Sequence, residues 1–256
     1  MKKAGILVLS VFFATSFAQP RLEYDIHYGF GASEMGLNNV AGVAAAVYPF
    51  AKNFGFSIGV EYSSKEKKRG NAILEGSQNL IDSDNDELEF KYRFYNHEEI
   101  RSASALQIPI MLRYTHSTYY AACGLKLGIP QTVESKTSYS ALVVEGYYPE
   151  MDYTFDDLSF QGFGRYGGGA FKTTFESDIL FMLAFEYGAK MEITDKTALM
   201  LGVFAEHSLN DGFDKDFGPR VERVEENNTA TRKLNETWKT WSPWTIGIQL
   251  KIAFMH

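Results

Sequence analysis

The chain has 256 residues, with 25 Lys plus Arg against 32 Asp plus Glu, a formal net charge of −7, and 20 Phe and 15 Tyr. This acidic balance gives no general attraction for nucleic acid, and a lone cysteine, Cys123, excludes an internal disulfide framework. Beyond the first twenty residues no run of 18 apolar residues occurs, which excludes a helical membrane span.

The start of the chain reads as a leader. Lys2 and Lys3 precede an apolar stretch from Ala4 to about Phe13, and Ser16-Phe17-Ala18 stands before Gln19. That order of basic, apolar and small residues is a secretory signal peptide. Cleavage after Ala18 is expected, which leaves one domain over residues 19–256.

Past the leader, a two-residue period predicts eight strands. Over 22–31, Leu22, Tyr24, Ile26, Tyr28 and Phe30 share one face, opposite Glu23, Asp25 and His27. A second strand over 40–50, rich in Val and Ala, leads through a short turn into a third over 53–63. There Phe54, Phe56, Ile58, Val60 and Tyr62 alternate with Gly55, Ser57, Gly59 and Glu61. The fourth, 103–114, sets Leu106, Ile108, Ile110, Leu112 and Tyr114 against Gln107, Met111 and Arg113. The fifth, 119–129, sets Tyr119, Ala121, Cys123 and Leu125 against Gly124, Lys126 and Gly128. The sixth, 179–193, opposes Phe181, Phe185 and Tyr187 to Glu186 and Lys190. The seventh, 199–205, opposes Leu199, Leu201 and Val203 to Gly202, Phe204 and then Glu206. The last, 244–254, alternates without a break: Trp244, Ile246, Ile248, Leu250, Ile252 and Phe254 against Thr245, Gly247, Gln249, Lys251 and Ala253.

Connections after strands two, four and six are turns of about four residues; those after strands three, five and seven run to about 30 to 50, the alternation of transmembrane barrels. The expected fold is therefore all-β, an eight-stranded antiparallel up-and-down transmembrane β-barrel with short periplasmic turns and long extracellular loops. Glu87 to Tyr95 also alternates, through Leu88, Phe90, Tyr92 and Phe94. It reads either as an extension of the fourth strand above the membrane or as part of a ten-stranded barrel.

The runs 48–62, 106–114 and 119–128 resemble the OmpA-like and PorT-like outer-membrane β-barrel families. The resemblance covers the strands and not the long loops, and implies an integral protein of a Gram-negative outer membrane without implying one activity. No peptidoglycan-binding domain follows the last strand, so attachment to the cell wall is not expected. Phe254, followed by Met255 and His256, stands slightly off the terminal aromatic that such barrels present to the assembly machinery.

The inward faces carry Asp25, Glu61, Glu186 and Glu206 against Arg113, Lys126, Lys190 and Lys251. An eight-stranded barrel is only wide enough for side chains to fill, and buried charges persist when paired. A salt-bridged plug is the leading expectation, and a narrow gated pore the alternative. Tyr24, Tyr62, Tyr114, Tyr119, Trp244 and Phe254 are candidate aromatic anchors at the membrane interfaces, as are Trp238 and Trp241.

Chemistry is thinly represented. The lipid A deacylases of this size use a His-x-Ser pair on one strand face, whereas His207 and Ser208 are adjacent and point oppositely. The other histidines, His27, His97, His116 and His256, show no metal-ligand spacing, and no cofactor motif occurs. Function is expected in the loops. Lys65 to Arg69 offers a basic cluster for lipopolysaccharide phosphates or a solvated charge run. Asp82, Asp84 and Asp86 lack the Gly and final Glu of a calcium loop, and Tyr147 to Tyr153 suits a glycan or protein ligand, or loop packing. Gly162 to Gly169 lacks the ending of a phosphate loop. The expected protein is thus a non-enzymatic outer-membrane barrel with a filled lumen, structural or surface-interacting. A small passive pore is second and a lipid-modifying enzyme third. Its partners are outer-membrane lipid and lipopolysaccharide, the barrel-assembly machinery and a glycan or protein at the loops.

Overall fold

The computed structural model describes residues 21–33, 36–48, 53–82, 85–158, 162–210 and 244–255, with the backbone of 220–226 and 229–235. The leader, Asp84, Trp238 and Trp241 lie outside the described residues.

Among the described residues, twelve strands follow in chain order. They are β1 (Arg21–Ser33), β2 (Gly36–Tyr48), β3 (Phe54–Ile81), β4 (Glu87–Thr115), β5 (Tyr119–Tyr148), β6 (Tyr153–Phe155), β7 (Gly164–Thr174), β8 (Leu180–Thr194), β9 (Thr197–Ser208), β10 (Arg220–Glu226), β11 (Thr229–Asn235) and β12 (Trp244–Met255). Eight of them close a ring in the order β1, β2, β3, β4, β5, β8, β9, β12 and back to β1, every pair antiparallel. The β10–β11 hairpin forms a sheet of its own.

The alternation seen in the sequence sorts side chains between wall and lumen. On β1, Tyr24, Ile26, Tyr28 and Phe30 are exposed, whereas Glu23, Asp25 and His27 between them are buried. The same inversion runs round the ring, with Phe56, Ile58, Val60, Ile110, Leu125, Phe185, Leu201, Ile248 and Leu250 exposed outside. A continuous exposed apolar belt of this kind has no place in water. From Trp244 to Phe254 the strand covers about 33 Å, which at the tilt of about 40° usual for barrels makes a band about 25 Å tall, the height of a membrane-spanning apolar zone.

Two of the long loops anticipated from the sequence prove to be strand. β3, β4 and β5 contain 28, 29 and 30 residues, against 12 to 15 for β8, β9 and β12. β3 and β4 stay in one register from Phe54 opposite Tyr114 to Ile81 opposite Glu87, so Glu87 to Tyr95 is the upper end of β4 and the ten-stranded alternative falls. The signal was hidden because Lys65 to Gly70 has no apolar face and because β5 changes phase. Its register against β4 shifts at Ser104/Ala105, leaving Gln131 as an extra residue. Below the bulge Lys126 is buried; above it Val133 and Ser135 are.

The extension beyond Tyr62 runs for roughly 60 Å along β3 at about 3.3 Å per residue. β7 pairs with β5 there, giving a four-stranded paddle. One face packs Phe90, Phe94, Leu142, Val144, Tyr148 and Phe163 into an aromatic-rich core. The buried parity switches within the paddle, on β4 from His97 and Glu99 to Phe94, Tyr92, Phe90 and Leu88, and on β5 from Ser135 and Thr137 to Leu142 and Val144. The switch lies at Asn96, which has φ 48° and whose Nδ2 donates to Ser140 Oγ at 2.9 Å, while Ser140 Oγ donates to Tyr95 O at 3.1 Å. Asparagine tolerates that left-handed backbone because its short amide bonds locally.

Candidate functional site

The inward side chains form a ladder of ion pairs. Near the short-turn end, Arg113, 2% exposed, places Nη1 2.8 Å from Asp25 Oδ2 and Nη2 3.1 Å from Glu23 Oε1. Arg21 reaches Glu23 from the rim at 3.2 Å, and Tyr48 OH donates to the same carboxylate at 3.4 Å. The ladder then climbs through His27, with Nδ1 2.9 Å from Asp25 Oδ1 and Nε2 3.1 Å from Glu61 Oε1. Two ionised carboxylates accept only, so the ring serves both when both nitrogens carry hydrogen. Glu61 also receives Lys126 at 2.6 Å, and Lys126 crosses to Glu206 at 2.7 Å. Beside this column Lys251 donates to Glu186 at 2.6 Å.

Seven of the eight lumen charges singled out from the sequence therefore sit in buried ion pairs with lumen partners. Lys190 does not join them: it is buried near the rim and pairs with Glu192 at 3.1 Å, a residue half exposed. The same alternation turns Glu23 and His27 inward, and Lys65 lies just past the end of the expected third strand. All three are buried. Lys65 Nζ reaches across to Thr245 Oγ1 at 3.0 Å.

Close packing accompanies the charges. Tyr120, fully buried, lies over Gly188 and Gly202, where an added Cβ would come within 2.7 Å and 2.5 Å of its ring and hydroxyl. Gln249 Nε2 donates to Tyr120 OH at 3.1 Å, and Arg113 and Lys251 lie 5.9 Å and 5.8 Å from the ring centroid. Charges taken from water are retained at a cost that only such close pairing offsets.

Of the candidate anchors, Tyr24 and Phe254 are register partners at the short-turn end. Tyr114 and Tyr119 pack nearby with tilted rings, centroids 5.8 Å apart. Trp244 and Tyr62 are exposed toward the long-strand end. His207 stacks on Trp244 at 4.2 Å while Ser208 Oγ donates to Asn210 O at 3.0 Å, so the two make no dyad.

On the paddle, the face opposite the aromatic core shows Glu75 paired with Arg93 at 2.5 Å, and Lys91 4.7 Å from the centroid of the Tyr147 ring. Lower down, Lys68, Ile100, Lys136 and Lys172 form one cross-strand row. Lys172 and Lys136 flank Glu134 and hold its carboxyl below the usual carboxylate range. Asp82 is committed to the β3–β4 turn, its Oδ1 accepting from Asp86 N at 3.0 Å. Tyr147 OH donates to Asp152 Oδ1 at 2.9 Å, which raises the phenol above its ordinary value. The glycine run anticipated as loop forms most of β7.

No family model and no curated protein matches the chain. Solved structures similar to it include Neisserial surface protein A, 11% identical over 92% of this chain and 96% of that one, with a TM-score of 0.32. Ail, the attachment invasion locus protein of Yersinia pestis, solved with the heparin analogue sucrose octasulfate, is 9% identical over 92% and 97%, with a TM-score of 0.24. The translocator domain of the autotransporter NalP from Neisseria meningitidis is 9% identical over 98% and 93%, with a TM-score of 0.19. Likenesses this loose leave the architecture to rest on the strand register itself.

Proposed function

We propose that this protein is an integral barrel of a Gram-negative outer membrane, sealed along its lumen, that acts at the cell surface through the paddle it raises above the bilayer. The observation that carries the reading is the buried ladder from Arg21 to Glu206, in which each charge meets an opposite one. An open pore keeps its charges hydrated; here they are spent on one another across a barrel of only eight strands. The short turns then face the periplasm and the paddle faces outward.

The role is structural or one of surface interaction, without catalysis, since His207 and Ser208 are committed elsewhere. Outer-membrane lipid covers the belt. Lys67, Lys68 and Arg69 stand just above it, where lipopolysaccharide phosphates lie. A glycan or protein meets the outer paddle face around Arg93 and Tyr147, and the assembly machinery engages β12 during insertion. The test is single-channel conductance of the refolded barrel in planar bilayers. Silence from protein verified as folded is expected; steady discrete openings would overturn the sealed lumen and promote the small passive pore.

A further inference from the structure

Two side chains span the lumen in its upper half: Lys126 from β5 to Glu206, and Lys65 from β3 to Thr245. Between these crossings lies a ring of inward positions. Asn38 is the register partner of Lys65, Ser63 sits one inward position below Lys65, and Gln107 is the partner of Glu61. Glu206, on the far wall, is the partner of Thr245. β1 contributes Gly31 at this height, opposite Asn38, and so sends no side chain inward.

All four polar residues are buried, Asn38 and Gln107 completely. Five of their atoms find no hydrogen-bond partner among the described residues: both amide atoms of Asn38, Ser63 Oγ, Gln107 Oε1 and Glu206 Oε2. Below this ring the ladder leaves two such atoms among the described residues, Arg113 Nε and Glu23 Oε1, and the latter lies 3.1 Å from Arg113 Nη2, so the deficit is concentrated in the ring. Buried polar groups are almost always bonded to something, and five orphans from four strands facing one space point to a shared ligand. Its chemistry is fixed by what borders it. The ammonium groups of Lys65 and Lys126 exclude a cation, and the Glu206 carboxylate excludes an anion. The ligand must be neutral, small, and both donor and acceptor.

We propose that this ring encloses an internal hydration site, in which about two or three ordered water molecules, each making about three hydrogen bonds, bind Asn38, Ser63, Gln107 and Glu206. The lumen is then two-layered, with a dry seal of Arg113, Tyr120 and Met200 below and a wet chamber above. The two-layered lumen rests on the sealed barrel proposed above, which conductance tests separately.

The test is made on refolded wild-type protein by water-edited NMR, reading long-lived water cross-peaks at the side-chain amide protons of Asn38 and Gln107. It is paired with unfolding of an Asn38→Leu variant. A hydrated ring predicts cross-peaks at both amides, and a folding equilibrium constant about tenfold lower in the variant, because the waters lose two partners. A dry ring predicts no cross-peaks, and a variant more stable than wild type because two orphaned atoms are gone. Either of those results overturns the proposal, and if Asn38→Leu fails to fold, the wild-type spectrum alone decides.

Discussion

Lys126 is the residue on which the lumen ladder can be tested most sharply. Its ammonium contacts two carboxylates, Glu61 at 2.6 Å and Glu206 at 2.7 Å, and all three side chains are at most 4% exposed. Replacing it with methionine keeps the length and removes the charge. Each hydrogen bond to a charged group contributes about 1.5 to 3 kcal/mol, and breaking a buried pair by removing one partner costs about 3 to 5 kcal/mol. Glu61 keeps His27, so the upper part of the doubled range is not reached, and a loss of about 3 to 5 kcal/mol is expected. That is roughly two to four orders of magnitude in the folding constant. The assay is urea titration of barrels refolded into vesicles, followed by heat-modifiable gel mobility and tryptophan fluorescence. A companion carrying Lys126→Met with Glu206→Gln should recover much of the loss, since Glu61 stays paired with His27 and no uncompensated charge remains. A loss below about 1 kcal/mol for Lys126→Met alone would refute the reasoning, for it would mean these carboxylates are solvated and the lumen is open to water.

Leu250→Arg, on the lipid face near mid-belt, should cost about 2 to 4 kcal/mol in the same titration; a neutral result would mean the facing of β12 is reversed. Gly202→Ala forces a Cβ to within 2.5 Å of Tyr120 OH and should cost about 1 to 3 kcal/mol through overpacking, with Tyr120→Phe in the same chain relieving part of it. Phe94→Ala removes a fully buried ring from the paddle core, a change worth about 3 to 5 kcal/mol. Limited proteolysis should then cut between residues 64 and 102 while the barrel keeps its gel mobility; simultaneous loss of both would show that paddle and barrel fold as one unit.

The barrel was legible because its environment is doubled: lipid demands Tyr24, Ile26, Tyr28 and Phe30 on one face and the lumen demands Glu23, Asp25 and His27 on the other, so period two is written strongly. The paddle has water on its outer face, and charged residues there, such as Lys68 and Lys136, leave no greasy stripe to read. Its upper alternation, Leu88 to Phe94, was visible; its continuity with the barrel was not, because Asn96 and Gln131 each interrupt the phase. The identity of most lumen charges followed from facing alone. Their pairing did not, since whether Lys126 meets Glu61 or Glu186 depends on the stagger of strands round the ring, which no single strand encodes. Lys65 was missed for a related reason: three basic neighbours made it look solvent-bound.

β3, β4 and β5 run without a break from the short turns to the paddle tip. Inter-strand hydrogen bonds lie across the strands, so a pull applied at the tip, along the strands, loads many rungs at once in shear instead of opening them one after another. A molecule held at that tip would tug on three adjacent strands of the barrel wall along their full length. The same three strands that lift the outer face away from the bilayer therefore make it a stiff mechanical lever anchored across the full thickness of the membrane.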